Sequence, residues 1–139
     1  MDGNHVTEII SGLSYPAGIA VEFDSRRLFW AEYEGNRIQS SNLDGTDVQL
    51  VVQLSGNTSP LGIAVHGDRL FWGNVYSKSL QSSEITGQDV RTLYNSTHGI
   101  QHLTAAIQDP SQTRPNHCEG QECSSGICVL TRNSYRSVS

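Results

Sequence analysis

The side chains with chemistry to offer are Cys118, Cys123 and Cys128, the neighbouring His117, and the serine pairs Ser40-Ser41 and Ser82-Ser83. Thiolates and an imidazole suit zinc, but neither cysteine gap is the short two-residue loop that zinc ribbons favour. A cluster of cysteines after a long stretch without any argues instead for a small disulfide-stapled module in an oxidising compartment. The serines lack the glycine setting of a nucleophile elbow, and the scattered histidines and carboxylates form no catalytic constellation. His98 and His102 would pair on a metal only if a helix carried them. No cofactor site is implied. Asn57-Thr58-Ser59 and Asn95-Ser96-Thr97 are glycosylation sequons, and Pro60 directly after Ser59 makes Asn95 the better candidate. Tyr33 and Tyr76 follow aromatic runs at turn positions, where exposed rings serve as ligand contacts.

An internal repeat must position these residues. Pro16-Ala17-Gly18-Ile19-Ala20-Val21 returns as Pro60-Leu61-Gly62-Ile63-Ala64-Val65, and Leu28-Phe29-Trp30 returns as Leu70-Phe71-Trp72. The offset is 44 residues at the prolines and 42 at the tryptophans, so two residues drop out between Glu22–Arg27 and His66–Arg69. Hairpin turns tolerate such changes. Arg37 to Gly45 matches Ser79 to Gly87, while Asp2-Gly3, Val6 and Ile9-Ile10 match Asp44-Gly45, Val48 and Val51-Val52. The chain is therefore expected to begin inside a unit.

Each unit reads as four short strands: Gly18 to Val21, Leu28 to Glu32, Arg37 to Leu43 and Val48 to Leu54. Asp44-Gly45 supplies a turn with positive φ, and Pro16 and Pro60 precede inner strands where a missing donor costs least. Four strands in a period in the forties is the propeller-blade pattern; a sandwich of duplicated sheets is the competing fold. Trp30 and Trp72 read as core, and the matched serines as strand-face hydrogen-bonding groups. Ile100, Leu103 and Ile107 have helical spacing with Thr97 as cap, or else form a strand entering a further blade.

The net charge of −5, with no basic cluster beyond Arg26-Arg27, argues against nucleic acid as a partner. No run approaches the roughly 20 apolar residues of a membrane span, and the first residues show no positive segment followed by an apolar stretch.

The doubled Pro-x-Gly-Ile-Ala-Val, the Leu-Phe-Trp and the serine-rich strand together resemble the low-density-lipoprotein receptor class B repeat, the YWTD propeller unit, over residues 1 to about 94. Phe29-Trp30-Ala31-Glu32 and Phe71-Trp72-Gly73-Asn74 stand where that family has Tyr-Trp-Thr-Asp. The resemblance implies an all-β fold: a partial propeller of two full blades (about 16–54 and 60–94) plus parts of others within residues 1–107. A linker at 108–115 and an incomplete EGF-like module at 116–139 follow. It also implies a polar link between blades at the aspartate's place, here Glu32 and Asn74, and a disulfide between Cys118 and Cys128 that leaves Cys123 unpaired.

A closed ring of six such units needs on the order of 250 residues, so the 139 residues are expected to be part of a longer secreted protein. The implied function is a non-enzymatic extracellular module that binds a protein ligand, in the ectodomain of an endocytic or signalling receptor. Contact with a membrane would then come only through other parts of the parent. The alternatives are a nidogen-like basement-membrane protein and, behind it, a lactonase-like hydrolase with a central metal. Histidine is the side chain suited to sensing an acidic endosome, which makes His66, His98, His102 and His117 candidates, but ordinary loop histidines are the better reading.

Overall fold

The computed structural model describes residues 2–105, 127–131 and 134–138. Its strands are β1 (Pro16–Glu22), β2 (Arg27–Glu32), β3 (Arg37–Asn42), β4 (Gln49–Gln53), β5 (Pro60–His66), β6 (Arg69–Asn74), β7 (Ser79–Glu84), β8 (Arg91–Asn95), β9 (His102–Ala105), β10 (Ile127–Thr131) and β11 (Ser134–Val138). They form two four-stranded meanders, β1-β2-β3-β4 and β5-β6-β7-β8, and a third sheet in the order β11-β10-β9. All pairings are antiparallel. The two missing residues fall where the repeat placed them: Glu22 pairs Arg27 across a four-residue loop, whereas His66 pairs Arg69 across a two-residue turn. Gly67 there has φ 58, as tight hairpins require.

Strand alternation sorts β2 into two faces. Phe29 and Ala31 join Ile38, Val52 and Leu54 to make one core with Ile63, Leu70 and Trp72 of the second sheet. The Phe29 face of the first sheet thus packs on the Trp72 face of the second. By the repeat, Trp30 looks the other way, toward the segment ahead of β1. That segment does part of what a preceding outer strand would do. A Cβ on Gly45 would meet the Ile9 carbonyl at 2.1 Å, and one on Gly87 would meet the Val51 carbonyl at 2.0 Å. Both glycines have positive φ, 84° and 87°, so glycine is required there twice over. Ile9 therefore stands to the first sheet as Val51 stands to the second, in line with the alignment of the chain's opening residues to the end of a unit.

The sheets fan out from their first strands, β1 lying beside β5 and β5 beside β9. Gly18 sits against the backbone of Leu61, where a Cβ would be 2.3 Å from the carbonyl oxygen, and Gly62 faces Gln101 in the same way at 2.9 Å. A side chain at either place would push neighbouring sheets apart at their inner edge.

Over the described part of Ile100 to Ile107 the helical alternative gives way to a strand, β9; residues 106 and 107 lie outside the described residues. Ile100 is fully buried with Leu80, and its N–H donates to the Asn74 carbonyl at 3.3 Å, so the chain runs along the edge of the second sheet. That extended path also separates His98 and His102 from the helical spacing a metal pair would need. The boundary drawn at residue 116 meets an unexpected ladder: β10 pairs with β9, Cys128 opposite Thr104. Linker residues 108–115, Cys118 and Cys123 lie outside the described residues. The Cys118–Cys128 disulfide therefore does too, although the Cys128 backbone is part of β10.

Candidate functional site

A meander that starts at one end returns there at its second turn and its last residue. One end of the two sheets therefore carries the residues before β1, the β2–β3 and β6–β7 turns, the β4–β5 connection and the end of β8. The opposite end carries the β1–β2 and β3–β4 turns and their counterparts.

The opposite end is built alike in both copies. Arg27 Nη1 pairs with Asp47 at 2.9 Å while its Nη2 donates to Ser40 Oγ at 3.0 Å. Arg69 repeats this with Asp89 at 3.0 Å and Ser82 Oγ at 3.0 Å. Ser41 and Ser83 donate to the carbonyls of Asn42 and Glu84, each at 2.8 Å. Ser40 and Ser82 thus make the strand-face hydrogen bonds expected of them, while Ser41 and Ser83 bond locally to the next residue's carbonyl. The guanidinium groups and nearby amides hold the Asp47 and Asp89 carboxyls below their ordinary range, Gln49 acting first on Asp47 and Arg91 first on Asp89.

The first end differs between the copies. Glu32, fully buried, accepts from Trp30 Nε1 at 3.1 Å, from the Ser14 N–H at 2.9 Å and from Arg37 Nη2 at 2.9 Å. Burial alone would raise its pKa, but Arg37 and these donors together hold it below the usual glutamate value. Asn74 in the second copy is equally buried but donates to Ser79 Oγ and Gln81 Oε1 instead. Trp72 Nε1 and Asn74 Oδ1 have no partner among the described residues.

Outside this buried layer lies a row of tyrosines. The Tyr15 and Tyr33 ring centroids are 5.4 Å apart and those of Tyr33 and Tyr76 are 6.0 Å apart, both pairs tilted. The outer rings stay open, Tyr15 at 61 % and Tyr76 at 57 % of full exposure. The Tyr33 hydroxyl is pushed up, chiefly by its hydrogen bond with Tyr76. The structure thus brings together the two tyrosines singled out in the sequence. It adds Tyr15, which reasoning by repeat missed because Ser59 fills the matching place before Pro60. Asn36, also missed, has φ 51 in the β2–β3 turn. Its side chain donates to the Leu54 carbonyl and accepts from the Ser59 N–H and the Thr58 hydroxyl, tying the β4–β5 connection to this end. Asn57 and Asn95 are both exposed at the same end.

A cavity of about 390 Å³ opens between the segment ahead of β1 and the outward face of the first sheet, lined by Ile9, Leu13, Ile19, Leu28 and Trp30 among others. Among the described residues no cluster of three or more His, Cys, Asp or Glu could hold a metal ion, and no helix is long and apolar enough to cross a membrane.

Four-stranded meanders fanned from their inner strands define a β-propeller, a class to which the chain's likeness to solved structures also points. No protein-family model matches the chain. Low-density lipoprotein receptor-related protein 5 of Mus musculus is 45% identical over 38 residues, 27% of this chain and 2% of that protein. The chain therefore spans a small part of the curated relative it matches. A chain in the crystal structure of a nidogen/laminin complex superposes with a TM-score of 0.72 at 23% identity, covering 93% of this chain and 45% of the other. Virginiamycin B lyase from Staphylococcus aureus reaches 0.57 at 15% identity over 88% of this chain and 40% of its own. With the doubled Phe-Trp strands, these findings support a likeness of the repeats to the low-density-lipoprotein receptor class B, or YWTD, kind. The lyase shows that enzymes share the architecture, so the fold by itself does not assign chemistry.

Proposed function

We infer that the chain is a non-enzymatic, extracellular protein-binding module and that the Tyr15–Tyr33–Tyr76 row is its ligand contact. The row itself carries this reading. Three rings drawn from two blades lie at one end of a rigid scaffold, apolar in body and polar at the tip, the composition enriched where proteins meet. The likeness to a receptor-related protein and to a chain of a nidogen/laminin complex supports an extracellular protein partner. A catalytic reading has no comparable support, since Ser40 and Ser82 accept from arginines on the neighbouring strand and Ser41 and Ser83 are bonded to the carbonyl of the next residue.

The test is binding of secreted ectodomains and of laminin to the immobilised chain, with Tyr33→Ala and Tyr76→Ala alongside. A partner of this face should lose at least tenfold in affinity with each variant, as centrally placed aromatic contacts do. Equal binding to the wild type and both variants would remove the tyrosine row from the interface. Laminin as the partner would turn the reading from a receptor module to a matrix protein.

A further inference from the structure

We propose that an N-linked glycan on Asn57 shields the Tyr33–Tyr76 pair, so that glycosylation sets how open the tyrosine face is. The proposal rests on the ligand-contact reading for its biological meaning, but its physical content is separate. Asn57 belongs to the β4–β5 connection, and that connection is part of the tyrosine site. The Tyr76 N–H donates to the Thr58 carbonyl at 3.3 Å and the Val75 N–H to the Ser59 carbonyl at 3.1 Å. On the other side, Asn36 ties Thr58 and Ser59 to the turn that carries Tyr33. The sequon is thus clamped between the turns of both rings, and the Asn57 side chain itself is exposed.

Clamping matters because a glycan on a mobile loop would sweep many directions. Here the last residue of the sequon is pinned: Ser59 is buried, has φ 53, and donates from its Oγ to Asn57 Oδ1 at 3.2 Å. A bulky, hydrated sugar chain leaving from this point must occupy the solvent layer next to Tyr33 and Tyr76. The opposite end of the blades, with its arginine clasps, holds neither Asn57 nor Asn95.

The test is tyrosine nitration by tetranitromethane on the full chain secreted from mammalian cells, read ring by ring by peptide mass. Wild type, wild type after enzymatic removal of N-glycans, and Asn57→Gln are compared. Glycopeptide mass should show Asn57 occupied even though Pro60 follows its sequon and makes Asn95 the easier site to modify. Nitration of Tyr33 and Tyr76 should rise at least threefold on deglycosylation and equally in Asn57→Gln, which keeps any Asn95 glycan and so isolates the Asn57 sugar. Unmodified Asn57, or nitration unchanged by its removal, overturns the proposal. A circular dichroism spectrum matching the wild type shows that a faster reaction in Asn57→Gln does not come from unfolding. No ligand enters the measurement, so shielding stands or falls independently of whether the tyrosines bind a partner.

Discussion

The two blades solve one problem in different ways. Both bury a tryptophan whose indole N–H is costly to leave without an acceptor, and both place a polar residue two positions further along the strand. In the first blade Glu32 reaches Trp30 and also binds Ser14 and Arg37. In the second, Asn74 turns toward Ser79 and Gln81, and Trp72 Nε1 is left without a described partner. At the opposite ends of the same strands the arginine clasps repeat, each pairing with its aspartate at 2.9 or 3.0 Å and with its serine at 3.0 Å. Where the copies agree, the residues hold the sheet together; where they differ, each blade has its own local chemistry.

That contrast is broken most severely by Glu32→Ala. The change strips acceptors from an indole, a backbone N–H and a guanidinium at once, and should cost about 2–4 kcal/mol of stability, typical of orphaning a buried charged network. Asn74→Ala should cost about 1 kcal/mol, since only two neutral hydrogen bonds go. Urea midpoints of the two variants measure both; equal losses would show that the blades are not distinguished by this link.

A graft sharpens the comparison. Asn74→Glu puts a carboxylate at the buried site with Ser79 where the first blade has Arg37, so an unpaired charge should lower stability by about 1–3 kcal/mol at neutral pH. Adding Ser79→Arg copies the first blade's pair and should recover at least half of that loss. A double variant no better than Asn74→Glu alone would mean that the Ser14 N–H, absent from the second site, is the indispensable partner.

Acid gives a smaller effect of the same origin. Because the folded pKa of Glu32 lies below the usual glutamate value, its contribution is complete above about pH 4.3. As pH falls, the unfolded chain takes up the proton first, so folding loses that stabilisation through the folded pKa. The stability gap between wild type and Glu32→Gln should therefore narrow as the pH falls below the usual glutamate pKa, about 4.3. A gap independent of pH would show that the carboxylate is not the stabilising form.

The strands, the hairpin that shortens, and the roles of Trp30, Trp72, Ser40 and Ser82 were all legible, because each recurs at a fixed offset and strand periodicity exposes it. Tyr15 was not legible. The backbone bond from Tyr33 N–H to the Tyr15 carbonyl recurs as Val75 N–H to the Ser59 carbonyl, but the side chains there do not repeat. Tyr76 likewise aligns with Glu34, so the row exists only once the two blades are side by side. The pairing of β10 with β9 was also hidden: β9 starts 42 residues after β5, on the repeat's offset, but β10 starts 58 residues after β6 (127 minus 69) and so falls off it.

The mildest expected effect tests the end where the blades agree. Arg27→Ala and Arg69→Ala each remove a guanidinium that joins a serine on β3 or β7 to an aspartate beyond the next turn. Both sites are partly open to solvent, so each loss should be well below that of Glu32→Ala. Since the distances nearly coincide, the two losses should match within about 0.5 kcal/mol, the usual additivity of independent sites, and should sum in the double variant. Unequal losses would show that the clasp takes its strength from the blade around it: the second site has Arg91 as an extra partner for Asp89, at 2.8 Å, where the first has Gln49 beside Asp47. In that case even the matching end of the repeat would have begun to diverge, through the strand that follows it.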